Sequence, residues 1–168
     1  MTIAQQLKIK DFPFIIKDKD GNEIYYENSN NYWRKHKYDA NGMEVSFEDS
    51  TGAWIKSKYD ASGNEIYCED SNGYWIKRKY NINGNKTYSE DSDGRWTKHK
   101  YDINGREISF EDSDGYWSVH EYDTNGEKIY YKNSDGFVRD NRPKIVEMTL
   151  EDIAKKLGIK VEQLRIKE

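Results

Sequence analysis

Glycine recurs at positions 21, 42, 63, 84, 105 and 126, and this 21-residue interval constrains the chain more than any other feature. A second glycine series stands ten positions on, at 52, 73, 94, 115 and 136, with Asn31 in its first slot. Tryptophan keeps the interval at 33, 54, 75, 96 and 117, with Val138 in the sixth slot. Tyrosine keeps it at 38, 59, 80, 101 and 122. A unit this short cannot bury an apolar face alone, so it must stack on its neighbours.

Each unit reads as two strands and two turns. "NEIYYE" (22–27) and "YWRKHKY" (32–38) are rich in β-branched and aromatic residues. "KYDANG" (37–42) returns as "KYDASG", "KYNING", "KYDING" and "EYDTNG". Its D-x-N-G suits a type I turn followed by a left-handed residue, where glycine has no steric cost. Turns of the Ser71-Asn72-Gly73 kind close the other end. The expected fold is all-β, an elongated array of about six tandem 21-residue β-hairpins in an antiparallel meander, over residues 12–143. "FPFIIK" (12–17) falls in phase with the tryptophan strands, Phe12 taking the tryptophan slot. "IAQQLKIK" (3–10) matches "IAKKLGIK" (153–160), and Thr or Asp precedes each, as a helix start needs. Short helical caps are therefore expected at 1–11 and 144–168, where an open sheet has unpaired edges to cover.

If Asp39 pairs with Met43 across its turn, strand alternation puts Trp33, Lys35 and Lys37 on one face with Val45, Phe47, Ile24 and Tyr26. Tyr38, His36, Arg34, Glu23 and Glu27 then share the other. Hydrophobic and charged residues are 35% each, too few apolar groups for a thick core, while 14% aromatics argue against disorder. A thin, twisted meander held by cross-strand ladders of like residues is expected. The net charge of −4 gives no general attraction to nucleic acid. No apolar run approaches a membrane span, and "MTIAQQLKIKDF" lacks the apolar core and cleavage site of a signal peptide. The single cysteine, Cys68, excludes an internal disulfide framework. A cytoplasmic location without a membrane partner is expected, the host cytoplasm if the chain is phage-encoded.

Gly115, Tyr122-Asp123, Gly126 and Gly136 resemble the YD repeats of Rhs-type proteins, as do Gly52, Tyr59-Asp60, Gly63 and Gly73. The resemblance covers roughly residues 21–137. It implies a β-sheet array; in that family long arrays wind into a shell around a toxin, and the few units here are not expected to enclose a cargo. "INGNKTYSEDSDG" (82–94) is similar to the cell-wall-binding repeats of choline- and glucan-binding proteins, whose aromatic clefts between hairpins hold ligands. The cap-to-cap layout also looks like small repeat proteins found in bacteriophage genomes.

Catalytic chemistry finds no foothold. His36, His99 and His120 share one column, but equivalent positions in neighbouring hairpins lie about 9.6 Å apart, too far to share a metal ion bound at about 2.1 Å. They are expected to be exposed strand histidines. The "EDSDG" turns (90–94 and 111–115) are similar to calcium loops but lack the further oxygen ligands and the late bidentate Glu. Serines 29, 50, 71, 92, 113 and 134 read as turn caps, Cys68 as a half-buried filler. No glycine-rich phosphate loop precedes a helix. A non-enzyme without cofactor or metal is expected.

Two features are candidates for binding. One is the tryptophan ladder, with Trp54, Trp75 and Trp96 at its centre and Lys35, Lys56, Lys77 and Lys98 beside it; aromatic and basic residues interleaved in this way can stack bases. The other is the acidic row Glu48-Asp49, Glu69-Asp70, Glu90-Asp91 and Glu111-Asp112, suited to a basic protein surface. The expected function is a non-enzymatic, repeat-built protein-binding module, in its specific form a phage-type inhibitor of a host or defence protein of the anti-CRISPR kind. The alternatives are glycan or small-ligand binding in inter-repeat aromatic clefts, and single-stranded nucleic-acid binding. The acidic row and net charge weigh against nucleic acid. "TLEDIAKKLG" (149–158) looks like the first helix of a helix-turn-helix, with little chain after it for a recognition helix.

Overall fold

A computed structural model describes residues 1–144 and 147–165. The turns explain the repeat. Asp39 Oδ1 accepts from the N–H of Asn41 (2.8 Å) and of Met43 (3.0 Å), while Gly42 N–H donates to the Asp39 carbonyl (3.1 Å). The same clasp closes the opposite end at Asp49, from Thr51 N–H (2.8 Å) and Ala53 N–H (3.3 Å). Such a side-chain clasp mimics a backbone turn and is local to five residues. Gly42 takes φ 79°, and in the one glycine slot filled by asparagine Asn31 takes φ 63°.

Between these turns the described residues form thirteen strands in one antiparallel sheet, ordered as in the sequence. They are β1 (Phe14–Lys17), β2 (Glu23–Glu27), β3 (Trp33–Tyr38), β4 (Glu44–Asp49), β5 (Trp54–Tyr59), β6 (Glu65–Asp70), β7 (Trp75–Tyr80), β8 (Lys86–Asp91), β9 (Trp96–Tyr101), β10 (Glu107–Asp112), β11 (Trp117–Tyr122), β12 (Lys128–Asn133) and β13 (Val138–Asp140). The expected all-β hairpin array is the fold.

The pairing differs from the simple expectation. Asp39 N–H does donate to the Met43 carbonyl (2.9 Å), and Tyr38 stands opposite Glu44. The ladder then slips, with Lys37 opposite Ser46 and Val45 left over as a bulge. Register shifts recur between β1 and β2, β5 and β6, β7 and β8, β9 and β10, and β11 and β12. The alternate hairpins have none. One extra residue reverses the face of everything beyond it. Phe47 therefore pairs with His36 on the tyrosine face. In the bulge-free β2–β3 hairpin Tyr26 pairs with Arg34 on that same face, and Glu27, opposite Trp33, lies on the tryptophan face.

The bulge follows from the odd period. Without it Lys35 would stand opposite Phe47, which pairs with Ile55, and Trp54 would face away from Trp33. With it Lys35, Glu48 and Trp54 form one row, and every tryptophan shares a face. Equivalent residues are consequently two positions out of step per hairpin, about 6.7 Å along the strand for about 9.6 Å across it. The array runs obliquely, at roughly 35°. Ladders of like residues do not form. A typical row reads Lys58, Tyr67, Lys77, Glu90, Trp96.

Tyrosine ties one repeat to the previous one. Tyr59 OH donates to the Glu44 carbonyl (3.0 Å), Tyr101 OH to the Lys86 carbonyl (2.9 Å) and Tyr122 OH to the Glu107 carbonyl (3.0 Å). In the recurring Tyr-Asp pair, then, the tyrosine straps repeats and the aspartate clasps the turn.

Among the described residues the most deeply buried part of the sheet lies under α1 (Ile3–Leu7). Ala4, Tyr25 and Glu27 are 0%, 3% and 1% exposed. The Glu27 carboxylate accepts from Thr2 Oγ1, from Ala4 N–H (3.1 Å) and from Tyr25 OH (2.6 Å). α2 (Leu150–Leu157) starts on a Thr149 capping box, so Asp152 sits in its first turn and is not the cap. Both helices end on a left-handed residue, Lys8 or Gly158, and α2 leads into a 3₁₀ turn, Val161–Gln163. Among the described residues no helix is long and apolar enough to cross a membrane.

Candidate binding faces

Strand alternation sets Trp33, Trp54, Trp75 and Trp96 two residues before a lysine on the same face. Each ammonium lies over its ring, at 4.4 Å for Lys35, 4.5 Å for Lys56, and 4.3 Å for Lys77 and Lys98. Val119 breaks the pattern at Trp117, where Lys132 approaches from the next strand at 5.8 Å. Glutamate completes the mosaic, pairing Glu48 with Lys35 (3.0 Å), Glu69 with Lys56 (3.7 Å) and Glu111 with Lys98 (3.9 Å). These pairs are half-exposed and each adds little stability. The four lysines cover one face of each of those four rings with charge.

The Glu-Asp residues do not make one row. Glu48, Glu69, Glu90 and Glu111 belong to the tryptophan face, each opposite the tryptophan of the next strand. Among the described residues Glu90 alone of these four has no ion pair. Asp49, Asp70, Asp91 and Asp112 clasp their turns through Oδ1. The Thr51 hydroxyl, together with N–H donors and Tyr32, holds the Asp49 carboxyl below its ordinary range against some desolvation. Both sets nevertheless line the same long side of the sheet. Toward the opposite side, on the tryptophan face, stand Lys37, Lys58, Lys79 and Lys100, so the face is polarised across its width.

On the other face the histidines are packed rather than exposed, because the bulge sets them against aromatic neighbours. His36 meets Glu44 (2.9 Å) and Phe47 (ring centroids 5.3 Å), and His99 meets Glu107 (2.7 Å) and Phe110 (5.0 Å). His120 lies against Tyr131 (5.1 Å) and Ser118 (3.0 Å), with its Nδ1 buried and without a partner among the described residues. Burial, then Lys128, pushes its pKa down. Cys68 fills the row between Ser57 and Ile76, and burial pushes its thiol up. The aspartates and Asn133, rather than the serines, cap these turns. Ser50, Ser71, Ser92, Ser113 and Ser134 each donate N–H to the tryptophan carbonyl of the repeat before, at 2.9 Å. Their fixed distance from tryptophan was the only sequence signal for this tie.

The fold has solved counterparts. The chain matches the TcdB2-TccC3 toxin complex with a TM-score of 0.53 at 18% identity, over 70% of its own length and 7% of that chain. It matches the Photorhabdus luminescens Tc holotoxin pore with a TM-score of 0.51 at 18% identity, over 68% of its length and again 7% of that chain. A likeness at this identity carries the fold, and it agrees with the sheet that the YD-repeat resemblance implies. No protein-family profile matches the chain, and no curated protein does.

Proposed function

We propose that the chain is a non-catalytic, repeat-built platform that binds another protein through its tryptophan face. The observation that carries this reading is the mosaic of half-buried tryptophan with lysine and glutamate on a face that, from β3 to β12, no second layer covers among the described residues. Aromatic anchors ringed by charge suit protein recognition. Turn clasps and tyrosine straps hold the platform rigid, which limits the ordering cost of binding. A sugar or base stacking on Trp54, Trp75 or Trp96 from the covered side must first displace an ammonium, which weighs against the glycan and nucleic-acid readings.

The edge holding Glu48, Glu69, Glu90 and Glu111 would meet a basic patch of the partner. A phage-type inhibitor of a host or defence protein, acting in the host cytoplasm, is the narrower form of the proposal. The test is capture from a host lysate by wild-type protein, by the Trp75→Ala/Trp96→Ala pair and by the Glu69→Lys/Glu90→Lys pair, each checked for fold by circular dichroism. A protein held by wild type and lost with both pairs supports the reading. Recovery of only nucleic acid or glycan, or capture indifferent to both pairs, rejects it.

A further inference from the structure

We propose that the lysine band beside the KYDxxG turns is a docking track for an acidic segment of the partner protein. This rests on the protein-binding reading and names what the far side of the tryptophan face meets. Each of four successive repeats contributes two lysines to that face, 35 and 37 through 98 and 100, against one glutamate. All four glutamates sit at the tryptophan edge, where Lys35, Lys56 and Lys98 engage three of them. Among the described residues Lys37, Lys58, Lys79 and Lys100 have no carboxylate within ion-pair distance. A chain of net charge −4 thus concentrates unanswered cations in one strip.

The strip has a built seat. Lys37, Lys56, Lys58 and Lys77 line an open hollow of about 810 Å³ together with Val45 and Tyr67. The one carboxylate in its wall, Glu69, is engaged by Lys56 (3.7 Å) and by the Tyr67 hydroxyl (2.9 Å). Crowded ammonium groups repel one another, and an anionic occupant relieves that repulsion. Polypeptide carboxylates fit better than a nucleic acid. Lys58 lies over the Tyr67 ring at 5.5 Å and Lys79 over Tyr88 at 5.6 Å, leaving poor stacking platforms for bases. The neighbouring glutamate edge also opposes a dense polyphosphate. Equivalent lysines advance about 11.7 Å per repeat, roughly three to four residues of extended chain. An extended segment with an acidic residue at about that spacing matches the track.

The test uses the full chain and a fluorescein-labelled oligoglutamate of about 20 residues, read by anisotropy at low and at physiological ionic strength. Wild type is expected to bind, and to bind more weakly at the higher salt. Lys58→Ala/Lys77→Ala, a change at exposed positions, is expected to lose roughly tenfold or more in affinity, while Asp114→Asn in an EDSDG turn leaves binding unchanged. Absence of binding, indifference to the lysine pair, or tighter binding of an oligothymidylate through the same lysines overturns the proposal. A captured partner lost with Trp75→Ala/Trp96→Ala but unaffected by Lys58→Ala/Lys77→Ala would sink the lysine track and leave the protein-binding reading standing.

Discussion

At the N-terminal end α1 lies over β2, and the side chains beneath it are dry; from β3 to β12 the sheet has no covering layer among the described residues. The two regions use the same turns but hold together differently. Near α1 a single carboxylate, Glu27, gathers donors from the helix and from Tyr25. Along the central repeats no residue is that important, because clasps, straps and cross-strand pairs recur and each contributes a small term. Stability is concentrated at one end and distributed in the middle.

Removing Glu27 should break that contrast most visibly. Glu27→Ala leaves Thr2, Ala4 and Tyr25 donors without their acceptor, at a cost of roughly 2–3 kcal/mol. Hydrogen exchange should show protection lost in α1 and kept in β5–β9; uniform loss would mean that the regions are one unit. Acid should act on the same group. Burial alone would raise the Glu27 pKa, but hydrogen bonds from Thr2, Tyr25 and Ala4 outweigh it and hold it below the ordinary range. The folded state then binds fewer protons than the unfolded one, so this contribution is full above the ordinary glutamate pKa and fades as pH falls through the lowered value. α1 should be released first on acidification. On the alkaline side, burial and the bond to Glu27 push Tyr25 up to about 12.

In the middle, Gly84→Val tests a turn. Gly84 has φ 79°, and an added Cβ would meet no atom within 4 Å, so the penalty is backbone strain alone. About 1–2 kcal/mol, or somewhat more for a β-branched residue, is expected in denaturant unfolding. Tyr101→Phe should cost about 1 kcal/mol, the strap to the Lys86 carbonyl. A much larger loss would show that the repeats are not ties of equal rank.

His120 carries the smallest effect. Its folded pKa is lowered, so the unfolded chain takes up protons first as pH falls below about 6.5. Stability should decline gently from there down through the lowered value. His120→Gln should flatten that part of the pH profile without moving the acid release of α1.

Much of this was legible beforehand. The turn glycines, the strands and both helices follow from residues close in sequence. Alternation alone places Trp33, Lys35 and Lys37 together but assigns Phe47, Tyr26 and Glu27 to the wrong faces, although the odd 21-residue interval holds a clue: two equal turns and an odd period cannot keep Trp33 and Trp54 together without an extra residue such as Val45. The packing of the histidines and the ties of the turn serines are hidden in the sequence for the same reason, since their partners lie across a register that the bulge sets.

The sequence by itself determined where the chain turns, because an aspartate clasp and a left-handed glycine act within five residues. It also determined that the units stack, because none can bury a face alone. Only the tertiary structure decided which side chains meet. Pairing across a hairpin depends on the residue count between strands, and one inserted residue reverses every side chain beyond it. That reversal put Phe47 with His36, Glu48 with Lys35, and the lysines together on the tryptophan face.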